Sequence, residues 1–575
     1  MSTRLIDRND DWEEIIDFPQ NRTLYVDQFS GDGPILANAY DAFSAQDLTM
    51  VFDYFHPEKE IELHNEEGEY VTELFRFRSI EDFEDEQLIA QSELLTAEEA
   101  KINTHNDIIR QIERNKALRN TLSDEAAREE LKRTIASLLA ELQQRQTSET
   151  PVQEEAFLLL KGIVQHVENL DPNRKAVKNI FLSDDFYADA RQKLNNDLTL
   201  WASILERGQS DLNEMVEACK SGREKAELSL QNNLLQIHED ARALEVTYRA
   251  LETFFANAGQ ESEECLFLMN VNIDDMRSSD SDGSIAIQKE LKRHYDTLSL
   301  RNSYSLFVVP GYIGDAPILR EWAKIARRNK VLMVTDFKDC PSFKILEDEL
   351  EEATLQGNDN YLANVVVTCN YLLGRKKSEL ANENDDIYIP SSAALAGRMA
   401  NTREIAIAQG VVGMDFGLMD GVKGTRLKLI KSEIAALIDQ GVVPMIENEG
   451  RTYALSNRTL YHGSAFSLQE YPIVRVLDWV NKVLMNYIHE IANENWEKYN
   501  SPPKLQKRIR EFLDHYRELL FASYELGNPE QDPESKIVTV DISIKPFFAT
   551  KGLIIKLEAD NKNYMSASVS EDRQP

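Results

Sequence analysis

The chain has 575 residues, of which 42% are hydrophobic, and its 64 Lys and Arg against 99 Asp and Glu give a formal net charge of −35. That length predicts roughly two to four domains with real cores, and the acidity excludes the clustered basic face that nucleic-acid binding needs. Four cysteines, Cys219, Cys265, Cys340 and Cys369, stand far apart without a CxxC pair, so a disulfide framework is not expected and a reducing cytoplasm fits the composition.

The opening MSTRLIDRNDDWEE has no apolar segment behind its first basic residue, and no long apolar run occurs later. Neither a signal peptide nor a membrane span is expected. Residues 1–85 mix short apolar runs with turns: RTLYVDQFSGDGP, then VFDYF, then IELHNEEGEYVTELFRF, whose NEEGE centre reads as a hairpin turn. From Glu84 to Gln146 the chain reads as charged helix, with Leu131, Ile135, Leu138 and Leu142 on one stripe. QTSETPVQEE, residues 146–155, is polar, contains Pro151 and reads as a linker.

A second helical block spans 156–258. Ala190, Leu194, Leu198, Trp201 and Leu205 form one stripe and Leu244, Tyr248, Leu251 and Phe255 another, both read as core faces. CLFLMNVNI then opens an α/β stretch, continued by YSLFVVPGYIG, PILREWAKIARRN, KVLMVTDF, NYLANVVVTCNYLL and a helix after IYIPSSAALAGRM. Strands alternating with helices predict a sheet covered by helices. KSEIAALIDQG reads as a helix with a Gly stop, and VVPMIENEGRTYAL as a hairpin turning at 448–450. YPIVRVLDWVNKVLMNYIHEI and KLQKRIREFLDHYRELL are amphipathic helices, and the chain just before residue 536 is read as helical. Val538, Val540, Ile542 and Ile544 then alternate with polar residues, and after KPFFATKG the residues Leu553, Ile555 and Leu557 share a face. This predicts a hairpin over 536–560. A lone hairpin is marginal in water, so it must add to another sheet. The polar tail 561–575 is expected to be disordered.

The nine histidines show no HxH or HExxH spacing, so no metal site is expected. VVPGYIGDAPILREW, residues 308–322, has the strand, Gly-bearing turn and helix start that could hold an anion. It lacks the lysine of a P-loop and the third glycine of a dinucleotide loop. An ordinary βα turn with Asp315 as N-cap and Pro317 in the first helical turn explains it equally well. No catalytic residue and no cofactor are assigned; a phosphate-binding α/β enzyme using this turn is the alternative from a different class.

From about residue 186 to 560 the order of segments resembles the large subunit of the type VI secretion contractile sheath, the TssC (VipB-like) family. The carriers are ALEVTYRALETFFANA with CLFLMNVNIDDM, YLANVVVTCNYLLGRKK with IYIPSSAALAGRMANT, IAALIDQGVVPMIENEGRTYAL, YPIVRVLDWVNKVLMNYI and VDISIKPFFATKGLIIKLEA. Upstream, YDAFSAQDLTMVFDYFHPEKEIEL, VTELFRFRSIEDFEDEQLIAQSELL with Ser79, Asp82 and Phe83, and RNKALRNTLSDEAAREELKRTIASLL resemble the small sheath subunit, the TssB (VipA-like) family.

The resemblance implies a non-enzymatic protomer of mixed α/β fold with a handshake-type core, polymerising with itself or with a small subunit around an inner tube protein. It also implies a baseplate, a recycling ATPase of the chaperone class, and strand exchange through Val538, Val540, Ile542, Ile544, Leu553, Ile555 and Leu557. A sheath of a phage-tail-like injection particle is the alternative within this class. The domains expected are a small-subunit-like module at 1–145, the linker 146–155, helices at 156–258, the α/β core and outer domain at 259–535, and the exchange hairpin 536–560.

Overall fold

The computed structural model describes residues 15–33, 42–65, 68–144, 152–153, 155–157, 160, 177–206, 212–259, 265–380, 385–491, 502–532, 534 and 537–548. In chain order the strands are β1 (Thr23–Asp27), β2 (Phe43–Ser44), β3 (Glu58–His64), β4 (Tyr70–Arg76), β5 (Leu266–Asn270), β6 (Leu306–Val309), β7 (Leu332–Asp336) and β8 (Val365–Cys369). They continue with β9 (Leu372–Arg375), β10 (Ile387–Ile389), β11 (Val443–Asn448), β12 (Arg451–Ala454), β13 (Ser523–Leu526), β14 (Glu530–Gln531), β15 (Val538–Thr539) and β16 (Ile542–Lys545). Two units divide the chain: residues 1–59, 76–80 and 241–575 form the first, and 60–75 and 81–240 the second.

The first unit is built on an eight-stranded sheet of order β12-β11-β8-β7-β6-β1-β5-β2. Its six inner strands run parallel and its two edges, β12 and β2, antiparallel. The runs LFVV, LMVTD and VVVTC of β6, β7 and β8 are buried along their whole length, as expected of parallel strands covered on both faces. On one face Leu24, Val26, Phe307 and Met333 pack with Ile287, Leu319, Trp322 and Leu346 from the flanking helices. On the other, Tyr25 meets Phe254 edge-on at 5.7 Å between ring centroids. The helix Ser391–Ala400 approaches so closely there that a Cβ on Gly397 would lie 2.4 Å from the Phe254 carbonyl oxygen; only glycine fits. The hairpin expected at 448–450 forms, with Glu449 and Gly450 both at positive φ, the pairing that a two-residue turn of matching twist requires.

In the second unit the two stripes read on either side of the expected linker face each other. Leu131, Ile135, Leu138 and Leu142 share one core with Leu194, Leu198, Trp201 and Leu205. Val152, inside that linker, is buried in the same core. Its N–H donates to Glu141 at 2.8 Å, and its carbonyl accepts from Lys178, itself paired with Glu141 at 2.5 Å. Residues 152–153 are therefore not an open connection, because a buried carboxylate and ammonium both need that backbone as a partner.

The expected module at 1–145 is likewise divided. β1 is an internal strand of the first unit's sheet, whereas the helices Glu93–Arg114, Lys116–Ser123 and Glu125–Gln144 belong to the second. The NEEGE hairpin is present as β3 and β4, and the turn read at Ser79 to Phe83 is the short helical turn Ile80–Phe83 with Phe83 buried. The helix Leu212–Ala258 runs for 47 residues, about 70 Å of continuous helix.

Candidate assembly site and the carboxyl edge of the sheet

At the carboxyl end of the parallel strands, where open α/β sheets commonly take ligands, this chain places its own side chains. Asp336, the last residue of β7, is buried. Its carboxylate accepts from the Gly311 N–H at 2.9 Å, the Thr368 hydroxyl at 2.6 Å, the Ser391 hydroxyl at 3.2 Å and the Ser392 N–H at 2.9 Å, and also from the Ser392 hydroxyl. It thus caps the first turn of the helix Ser391–Ala400 and holds the 308–322 turn through Gly311, whose φ of 88° suits glycine. Burial nevertheless raises the Asp336 pKa, against the lowering effect of those donors.

The start of the helix Ala316–Arg328 departs from expectation. Asp315 occupies the N-cap position but makes no capping hydrogen bond; its carboxylate accepts from the Tyr312 hydroxyl at 2.6 Å instead. With no cap to lose, Asp315→Ala is expected to change stability by less than about 0.5 kcal/mol, as read by urea unfolding. A loss near the roughly 1 kcal/mol typical of a cap would contradict this geometry.

Asp27, at the end of the internal strand β1, accepts from the Gln28 N–H at 2.8 Å and the Thr247 hydroxyl at 3.2 Å. Burial outweighs both and pushes its pKa from 3.8 up to about 7. A folded-state pKa raised above the unfolded value means that folding favours the protonated acid. The contribution is fully present below about pH 4 and lost as pH rises through about 7. The protein is therefore expected to melt at a lower temperature at pH 8 than at pH 5. Asp27→Asn should flatten that dependence, and an unchanged slope in the variant would assign it to other groups.

The terminal ribbon is the other candidate. β16 pairs antiparallel with β13, Ile544 opposite Tyr524 and Ile542 opposite Leu526, and β15 pairs with β14. The segment before residue 536 is thus not helical up to the hairpin. The helix ends at Tyr516 and the chain turns into β13 and β14, which supply the sheet that the alternating run requires. Val538, Val540, Ile542 and Ile544 share a face, half-buried against a core that includes Trp479, Val483, Ile509, Phe512 and Leu513. Leu553, Ile555 and Leu557, and the tail 561–575, lie outside the described residues. Sequence reasoning missed Asp336, Thr368, Ser391 and Ser392. The available signal was an acidic residue closing the strand LMVTD and a Ser pair opening a helix, two features with no spacing between them to connect.

Among the described residues there is no cluster of three or more His, Cys, Asp or Glu arranged to hold a metal ion, and no helix is long and apolar enough to cross a membrane.

Residues 144–234 match the TssC/VipB-like N-terminal region, residues 236–462 the central domain of type VI secretion system TssC/VipB, and residues 470–572 the TssC/VipB-like C-terminal domain. With the mixed α/β architecture above, these matches define a structural subunit of a contractile sheath. The chain belongs to the TssC/VipB family. Among solved structures, it is similar to a chain of the anti-feeding prophage baseplate at 13% identity, with a TM-score of 0.41, covering 55% of this chain and 81% of that one. The contracted helical sheath of the same prophage gives 13%, 0.41, 54% and 81%. The contracted PVC sheath complex of an extracellular contractile injection system gives 14%, 0.39, 56% and 82%. No curated protein matches the chain.

Proposed function

We propose that this chain is a sheath protomer that carries in one polypeptide what the family core otherwise needs from a second chain. The observation that carries the reading is β1. It pairs in parallel with β5 on one side and β6 on the other, yet it comes from residues 23–27, upstream of the family matches, which begin at residue 144. Without that strand β5 and β6 would each present an unpaired edge in the middle of the sheet, which buried backbone does not tolerate. The likeness of residues 40–140 to the small sheath subunit supports the same reading.

The role is mechanical, without a catalytic step. Protomers polymerise by head-to-tail contacts into a helical tube around an inner tube protein, grow from a baseplate, contract, and are recycled by an ATPase of the chaperone class. The terminal ribbon serves as the assembly element, its main chain pairing with a neighbour's strand and its alternating side chains fixing register. The test is to express the full chain alone and image it by negative-stain microscopy. Tubes formed by this single polypeptide are the expected result. Tubes that appear only when a separate small subunit is added would remove the one-chain reading and leave family membership untouched.

A further inference from the structure

The helix Tyr471–Ile491 buries charge on a face that should be apolar. Arg475, Asp478 and Lys482 follow one another at spacings of three and four residues, which sets them on one side of a helix, and they are only 7%, 6% and 1% exposed. The carboxylate is matched. Asp478 accepts from the Asn364 side-chain amide at 2.6 Å and pairs with Lys330 at 3.3 Å. The two cations meet only neutral acceptors. The Arg475 guanidinium donates to the carbonyls of Met399 and Gln20 at 3.0 and 3.4 Å, and the Lys482 ammonium to the Tyr304 carbonyl at 2.9 Å. Among the described residues neither forms an ion pair, and the buried Arg475 Nε has no hydrogen-bond partner. Burial accordingly lowers both groups from their ordinary values, Lys482 to about 8 and Arg475 to about 10.

Arg475, Asp478 and Lys482 all line one small cavity, together with Gln20 ahead of β1, Ser305 ahead of β6 and Lys330 ahead of β7. It therefore sits at the amino ends of the parallel strands, the opposite end of the sheet from Asp336. We propose that this cavity is a binding site for a single small monovalent anion of the halide class, held between Arg475 and Lys482. Size and charge both point there. The volume of about 10 Å³ suits one guest of roughly the size of a water molecule, which leaves no room for a phosphate or an organic carboxylate. Three cations and a single carboxylate line the space, and that carboxylate is already engaged by Lys330 and Asn364. A buried cation without a counter-charge costs several kcal/mol. Water would supply a lone pair to the Arg475 Nε but no charge; a halide supplies both. The bound ion would also join the helix Tyr471–Ile491 to the starts of three strands.

The test melts the full chain in buffers of fixed sodium concentration in which chloride progressively replaces gluconate, an anion too large for the cavity. The melting temperature is expected to rise with chloride and then level off, as mass action at one site requires. A flat response would leave the cavity to a water molecule, and a rise that never levels off would be a general salt effect; either overturns the proposal. Lys482→Met removes the charge and keeps most of the volume. It should need several-fold more chloride to reach half of the rise, and an unchanged midpoint would place the anion elsewhere and overturn the assignment. Tryptophan emission of the native chain gives a second reading that does not depend on the variant folding. Trp479 lines the same cavity, so bromide in place of chloride should quench part of the emission in a saturable step with its own midpoint close to that of the bromide melting curve. Quenching that is linear in bromide throughout would also overturn the proposal.

Discussion

A chain carrying Val26→Asp is expected not to fold. Val26 is fully buried on β1, with strands on both sides, and faces the core that holds Phe307 and Met333. A carboxylate there would sit among the apolar side chains of that core. Burying such a group costs several kcal/mol, a large part of the roughly 5–15 kcal/mol by which a domain is stable. Val26→Ala keeps the strand and loses only two methyl groups, so it should fold and unfold at lower denaturant, by about 1–3 kcal/mol. Circular dichroism and soluble yield separate the two variants. A folded Val26→Asp chain would mean that β1 is not an internal strand, and with it the one-chain reading would go.

The second large effect is expected from a chain truncated before Lys536. It loses β15 and β16 and with them four half-buried aliphatic side chains, worth on the order of 1 kcal/mol each. The eight-stranded sheet retains its own core, so the truncated chain should remain folded with a lowered melting temperature, and tubes should be absent by negative stain. Tubes of normal length from this chain would end the assembly role of the ribbon. Loss of folding altogether would show that the ribbon is needed by the protomer before it is needed by the polymer.

How much of this was legible in the sequence depended on whether the information was local. The α/β alternation from residue 265 onward, the hairpin at Glu449 and Gly450 and the helix Tyr471–Ile491 all follow from periodicity and turn chemistry within a few residues. So did the inward face of Val538, Val540, Ile542 and Ile544. The place of β1 did not. TLYVD is short and buried throughout, a pattern that says a strand is covered on both faces but not which strands flank it, and its partners lie more than 200 residues away. The strands β13 and β14 were passed over because SYELGNPEQ carries only Tyr524 and Leu526 on its inner face and is broken by Gly527 and Pro529. Alternation announced that the terminal run needed a sheet, and only the fold could say that the sheet began fifteen residues upstream. Within the stretch read as a linker, the contacts of Val152 were equally out of reach, since it is held by Glu141 and Lys178 from two different helices.

Asp336 can be regarded as a tenant. Its carboxylate occupies, permanently and covalently, the berth at a helix start where other α/β sheets receive a visiting anion, and it is met there by the same kinds of donors a visitor would use. Evicting it has a distinctive consequence. Asp336→Gly leaves the hydroxyls of Thr368, Ser391 and Ser392 and the N–H groups of Gly311 and Ser392 directed at an empty space the size of a small carboxylate. The N–H groups of Gly311 and Ser392 and the Ser392 hydroxyl lose the acceptor they have in Asp336, and unfolding should come at markedly lower temperature. Formate or acetate in tens of millimolar should then raise the melting temperature of the variant by mass action and leave the native chain unmoved. A lodger from solution would take up the room that the protein normally reserves for itself.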